Sequence, residues 1–192
     1  MLYHISGTLK AKKENFLVLE TSGGISFRVV ASPQTLSKIP STGSSLSLFT
    51  YLHVREDALE LYGFATEAEL NLFEKLISVS GIGPKSAMGI LGVSNIDQLI
   101  AAINEGRTEL ITRASGIGKK TAERVVLELK GKLGAVNTGE MLTLMESDVE
   151  LEETLVWLGY TRAQAKAAIG KIDSKIIGFK ERLKATLQSM KR

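Results

Sequence analysis

The chain has 192 residues, 44% hydrophobic and 23% charged, with a formal net charge of +3; this ordinary globular composition suits one domain or several small ones. It contains no cysteine and only two histidines, His4 and His53, which excludes disulfides, thiolate nucleophiles, cysteine zinc sites and iron–sulfur clusters and speaks against a histidine metal site. No run of about 18 apolar residues is present to span a membrane, and "MLYHISGTLKAKK" lacks the order of a secretory signal, so a cytoplasmic protein with no metal or other cofactor and no membrane partner is expected.

Residues 1–64 read as β. "FLVLE" and "ISFRVVA" flank Thr21-Ser22-Gly23-Gly24, whose residues tolerate a tight turn. "SLSLFTYLHV" and "ALELYGF" form a second pair around Arg55-Glu56-Asp57. Short strands punctuated by Gly, Ser and Pro predict a small barrel of the OB type. A barrel this small needs a neighbour or a sister subunit to pack against.

From 65 to 134 the apolar period changes from two to about 3.6. Thr66 and Glu69 make a capping box, after which Leu72, Phe73, Leu76 and Ile77 line a helical face. Ser94 and Asp97 open another helix, carrying Leu99, Ile100 and Ile103 and stopped by Gly106. Thr108 to Arg113 and Lys119 to Leu133 predict two more.

Residues 135–146 read as a linker, because "GAVNTGEMLTLME" sustains no amphipathic face, although Met141, Leu142, Leu144 and Met145 make it less polar than a free linker. Residues 147–192 restart with a Ser147/Glu150 box and Leu151, Leu155 and Leu158, ended by Gly159 in the left-handed conformation. Thr161 and Gln164 cap a helix to Ile169, and Ser174 caps a last one with Ile176, Ile177, Phe179, Leu183 and Leu187. This three-helix bundle resembles the ubiquitin-associated type in size and in its "LGY" turn. Its core is too small for elaborate catalysis, so it reads as a docking module.

One string occurs twice: "SGIG" at Ser80–Gly83 and again at Ser115–Gly118. At an offset of 35, Leu76 falls on Ile111, Lys85 on Lys120, Ser86 on Thr121, Ala87 on Ala122 and Ile90 on Val125. Matching apolar positions on both sides mark a repeated supersecondary unit of helix, Gly-Ile-Gly turn and helix. The glycines admit a tight reversal and let another molecule approach. The turn runs into a helix N-terminus, where unpaired amides and the dipole favour an anion, commonly phosphate. Lys85, Lys119 and Lys120 add charge, and Lys120 and Arg124 share a face. A P-loop is excluded because Arg113 stands where its first Gly belongs, and a dinucleotide fingerprint because Ser86 and Thr121 replace its third Gly.

The plain alternative is a compact αα-hairpin with Ile as a core plug. Two copies, each with Lys at the same offset, favour the helix-hairpin-helix motif, which this unit resembles and which holds DNA by phosphates without reading bases. The mild positive charge agrees with such a partner without demanding one. Duplex binding alone leaves three rivals open: a repair nuclease or glycosylase, a non-specific duplex-binding module, and a single-strand binder. The scattered carboxylates argue against the nuclease, and an aromatic content of 6% argues against base stacking on the barrel.

The order of β-barrel, double helix-hairpin-helix, linker and three-helix bundle, with "GTLKAK" and "GYTRAQAKAAI", resembles the bacterial RuvA family along essentially the whole chain. The family comprises the Holliday-junction-binding subunits of the branch-migration machine, acting in recombination and repair without an active site of their own. The resemblance implies a homotetramer, or a double tetramer on DNA, that holds a four-way junction square and open. It implies backbone contacts at Gly81, Ile82, Gly83, Lys85, Gly116, Ile117, Gly118, Lys119 and Lys120. It implies the hexameric RuvB ATPase as partner of the third domain, and the RuvC resolvase as a further one.

The family also carries an acidic pin facing the crossover, and Glu56-Asp57 in "HVREDALEL" fits it. The plain alternative is an ordinary solvated hairpin tip. Arg55 reads either as a partial neutraliser or as a phosphate contact. In the third domain Leu158, Gly159 and Tyr160 are candidates for the ATPase-facing turn, while Trp157 and Leu158 read equally well as core.

Overall fold

The computed structural model describes residues 2–133, 138–170, 172, 176 and 178–190, the side chains of 138–147 and 190 excepted. It divides into two compact units, Met1–Ala135 and Val136–Arg192.

The first unit begins with strands β1 (His4–Lys12), β2 (Phe16–Glu20) and β3 (Ser26–Ala31), helix α1 (Pro33–Lys38), and strands β4 (Ser45–Val54) and β5 (Leu59–Phe64). They close into a barrel in the order β1-β2-β3-β5-β4, antiparallel except for β3 against β5. One strand serves two neighbours: β1 pairs with β4 through its first half and with β2 through its second, and an irregularity between Leu9 and Ala11 turns it from one to the other. Gly63 lets the barrel close, since a Cβ there would stand 2.4 Å from Val29 Cγ1. Leu9, Leu17, Leu19, Val29 and Leu48 fill the interior, each worth about 1.5–3 kcal/mol of burial.

Helix α1 had no counterpart in the sequence reading. Ser32 caps it, accepting from the Thr35 amide at 3.0 Å, and Pro33 occupies its first turn.

The helices α2 (Glu67–Ser78), α3 (Pro84–Leu91), α4 (Ile96–Glu105), α5 (Thr108–Ile111) and α6 (Lys119–Leu129) follow. The expected division at residues 64 and 65 falls between β5 and α2, within the first unit. Phe73 of α2 packs against Tyr51, Tyr62 and Phe64 of the barrel, with ring centroids 4.9–5.4 Å apart. Glu69 adds a polar tie: its carboxylate accepts from Thr35 Oγ1 at 2.9 Å, the Ala65 amide at 3.0 Å and Lys38 Nζ at 3.0 Å. Only half of the predicted capping box therefore forms. Thr66 Oγ1 accepts from the Glu69 amide, while the Glu69 carboxylate is drawn to α1.

Two further boundaries differ from expectation. Asn95, not Ser94, caps α4, because its carbonyl oxygen reaches the Gln98 amide at 2.9 Å while the Ser94 hydroxyl turns to the Gln98 side chain. Helix α6 ends at Leu129 rather than Leu133, and Gly131 follows at φ 74°. Gly106 stops α4 at φ 80°, as its position predicts.

The second unit packs α7 (Thr138–Trp157), α8 (Arg162–Ile169) and α9 (Phe179–Met190) on one another. The linker expected over 135–146 is helical from Thr138 on, so α7 runs through the supposed cap at Ser147. The physical reason is propensity: Glu, Met and Leu favour a helix even where their spacing gives no single apolar face. Residues 135–137, Ser174 and Ile177 lie outside the described residues, as do the side chains of Met141, Leu142, Leu144 and Met145. Ile176 is not helical, and α9 opens only after Gly178. Thr161 and Gln164 form the predicted reciprocal capping box. Leu151, Leu155, Ala165 and Ala168 form the core, with the buried Arg182 bonded to Asp148 and, at 3.1 Å, to the Ile176 carbonyl. No single helix among the described residues is long and apolar enough to cross a membrane.

Candidate nucleic-acid interface

The two "SGIG" segments fold alike, bond for bond. In the first, the Val79 amide donates to Leu76 O, Ile82 to Val79 O and Ala87 to Gly83 O, at 3.0–3.1 Å. In the second, Ala114 donates to Ile111 O, Ile117 to Ala114 O and Ala122 to Gly118 O, again at 3.0–3.1 Å. Each acceptor and donor recurs 35 residues later. Gly81 and Gly116 turn the chain at φ 89° and 81°, where a side chain would be strained.

Gly83 and Gly118 then cap α3 and α6 without any side-chain hydrogen bond. The first amides of each helix precede the first intrahelical bond and point out of its end. In α3 they belong to Lys85 and Ser86, since Pro84 has none. In α6 they belong to Lys119, Lys120 and Thr121, so the second copy offers one more donor and one more cation. Lys85, Lys119 and Lys120 are exposed, and among the described residues none forms an ion pair. A Cβ on Gly83, Gly116 or Gly118 would meet nothing within 4 Å. These turns are open to an incoming backbone.

Ile82 and Ile117 correct one expectation. They are 5% and 6% exposed, and their amides are spent inside the turn. They plug the core and shape the turn, leaving neither side chain nor amide for a phosphate.

Arg124 of α6 supplies a link that the sequence reading missed. Its Nη1 donates to the Ser80 carbonyl oxygen at 3.0 Å, tying the first turn to the helix of the second. The signal was a break in the repeat, because the residue 35 positions earlier is Gly89.

The candidate acidic tip lies on the barrel. The Arg55 amide closes the β4–β5 hairpin on Ala58 O at 2.8 Å, leaving Glu56 and Asp57 exposed at its end. No hydrogen bond or ion pair among the described residues joins them to the paired turns. Below the tip, Tyr62 donates to Glu60 Oε2 at 2.9 Å. Burial first, then this bond to a carboxylate, push the Tyr62 hydroxyl up to about 12.

On the second unit, Gly159 ends α7 at φ 95° with the Tyr160 amide donating to Leu155 O. Leu158 is 57% exposed, Tyr160 is half-buried, and Trp157 is 90% exposed. The core alternative for Trp157 and Leu158 therefore falls. Leu155 to Leu158 is a run of four apolar residues, longer than one helical face can bury. Among the described residues no group of three or more His, Asp or Glu side chains is placed to hold a metal.

Two family models match the chain: the RuvA N terminal domain over residues 1–63 and the SAM-like helix-hairpin-helix tandem over residues 73–132. The second span contains both repeated turns. The chain is 41% identical to the Holliday junction branch migration complex subunit RuvA of Thermoanaerobacter sp. (strain X514) over 192 residues, covering 98% of this chain and all of that protein. It is 46% identical to the protein of the same description from Thermomicrobium roseum, over 88% of this chain and 86% of that one. It is 36% identical to that of Acetivibrio thermocellus over the full length of both. With its barrel, its paired turns and its full-length likeness to these proteins, the chain belongs to the RuvA family.

Proposed function

We propose that this protein captures four-way DNA junctions, holds them open and square, and directs a hexameric ATPase, RuvB, to drive branch migration in recombination and repair. The observation that carries this reading is the bond-for-bond duplication of a Gly-Ile-Gly turn that opens a helix, with the two copies tied through Arg124 and Ser80. Two such turns at a fixed separation suit the backbone of one duplex arm. Gly81, Gly83, Lys85, Gly116, Gly118, Lys119 and Lys120 hold the phosphates.

Four copies assemble through the barrel, so that each grips one arm and Glu56 and Asp57 of every copy gather where the strands cross. There their charge repels phosphate, most strongly at short range and low salt. The protein has no active site of its own. The second unit docks on the ATPase through the turn at Leu158, Gly159 and Tyr160, to which the exposed Trp157 is added. The RuvC resolvase joins on the same junction, and the work is done in the cytoplasm.

Solution mass, measured with and without a synthetic four-way junction, tests the assembly. A tetramer, or two tetramers, per junction is expected; one or two chains per junction would contradict the reading. Incubating labelled junction with divalent metal and no partner tests the rival repair enzyme. Every strand should remain intact, and cleavage would overturn the assignment.

A further inference from the structure

Arg55 stands directly before the two acids of the hairpin tip, yet its guanidinium does not turn to them. Its Nε–H donates to Nε2 of His53 at 2.9 Å. Among the described residues it forms no ion pair with a carboxylate. Strand alternation puts Tyr51 and His53 on one face of β4, Arg55 follows directly after the strand's last residue, and the register sets Tyr62 opposite Tyr51 and Glu60 opposite His53. The Tyr51 ring stacks on His53, with centroids 6.4 Å apart.

An imidazole accepts at Nε2 only when it is neutral with its proton on Nδ1. The Arg55 bond therefore belongs to one tautomer of one protonation state. Protonation removes the acceptor, sets a second cation beside Arg55, and gives Glu60 across the ladder a new partner. The other element on this face, α2, brings the apolar Phe73 to Tyr51 and Tyr62. Of its charged residues, Glu67 and Glu74 lie toward Tyr3 and Glu69 is held by Thr35 and Lys38, which leaves Lys75 as its one cation.

We infer that His53 is a positioning residue for the acidic tip: by holding Arg55 back along β4, it leaves Glu56 and Asp57 their full charge toward DNA. The inference rests on the proposed reading of that tip as the part that meets the junction centre. A released Arg55 pairs with the neighbouring acids or takes a phosphate. Either outcome weakens the repulsion that separates a junction from plain duplex.

The test compares the full chain with His53→Gln, which keeps a neutral acceptor that does not titrate, and with His53→Phe, which has none. The quantity read is the ratio of affinities for a labelled four-way junction and a duplex of equal length, between about pH 5 and about pH 8. The unaltered protein should lose about fivefold of this ratio at the acid end, the upper scale of one solvent-exposed ion pair. His53→Phe should show the low ratio throughout, and His53→Gln the high ratio throughout. A His53→Phe ratio equal to that of the unaltered protein, or a His53→Gln profile that still falls with acid, would overturn the inference.

A measurement without DNA separates the two layers. Ring-nitrogen resonances of His53, assigned in a His4→Gln background, should report the Nδ1–H tautomer and lose that preference in Arg55→Leu. No change of tautomer overturns the pairing itself. The expected change together with flat affinity ratios overturns the role of the tip and leaves the pairing standing.

Discussion

Arg124 Nη1 and the Ser80 carbonyl oxygen, 3.0 Å apart, join the second hairpin's helix to the first hairpin's turn. Each turn alone offers only a few free amides and one or two lysines. On the proposed function, the two turns held at a fixed separation match the spacing of phosphates along a duplex arm, and the entropy of arranging them is spent during folding rather than at binding.

The tether makes Arg124 separable from an ordinary phosphate contact. Arg124→Met should weaken junction and duplex binding together by about tenfold, the scale of a hydrogen bond to a charged group. The slope of log affinity against log salt should stay unchanged. A slope shallower by about 0.9, the signature of one lost phosphate contact, would show that Arg124 holds DNA and not Ser80.

The four turn glycines should divide into two classes. Gly83 and Gly118 have φ −92° and −83°, and an added Cβ meets nothing within 4 Å. Gly83→Ala with Gly118→Ala should therefore leave stability within about 0.5 kcal/mol and still lose most DNA affinity. Gly81→Ala or Gly116→Ala should cost about 1–2 kcal/mol each, because both sit at positive φ. Thermal melts beside binding isotherms check both halves.

Much of this arrangement was legible in the sequence, because a repeat displays its own register. Gly, Ile, Gly and Lys recur at one offset, and the structure repeats their hydrogen bonds. What escaped was carried by distant contacts or by weak periodicity. Glu69 looked like half of a local capping box, and only folding brings Thr35 and Lys38 to its carboxylate. The six-residue α1 is too short to show a period. The first half of α7 has helical propensity without a helical face, and so read as linker. Ile82 and Ile117 stood inside the motif, which made them look like part of the contact when they are its buried anchor.

Tyr62 predicts an alkaline limit to stability. Its folded-state hydroxyl is raised to about 12, against about 10 in an unfolded chain. The folded protein keeps the proton longer than the unfolded one. Its contribution is thus complete below about pH 10 and is lost as pH rises toward about 12. Denaturant melts across this window should fall less steeply for Tyr62→Phe than for the unaltered protein. Equal slopes would place the hydroxyl in water.

Trp157 is 90% exposed at the end of α7. Trp157→Ala should shift the stability of the second unit by less than about 0.5 kcal/mol. The same change should abolish co-sedimentation with the hexameric ATPase, while junction binding is unaltered. Retained association would move the docking surface elsewhere on the unit.

The central claim is that paired turns attract the arms while the acidic tips keep the crossover clear. Competition between a four-way junction and a duplex of equal length, for the unaltered protein and for Glu56→Gln with Asp57→Asn, tests it most directly. The unaltered protein should prefer the junction strongly, with affinity falling steeply as salt rises, and the double variant should still bind the junction but discriminate less against duplex. Equal affinity of the unaltered protein for both DNAs would contradict the account.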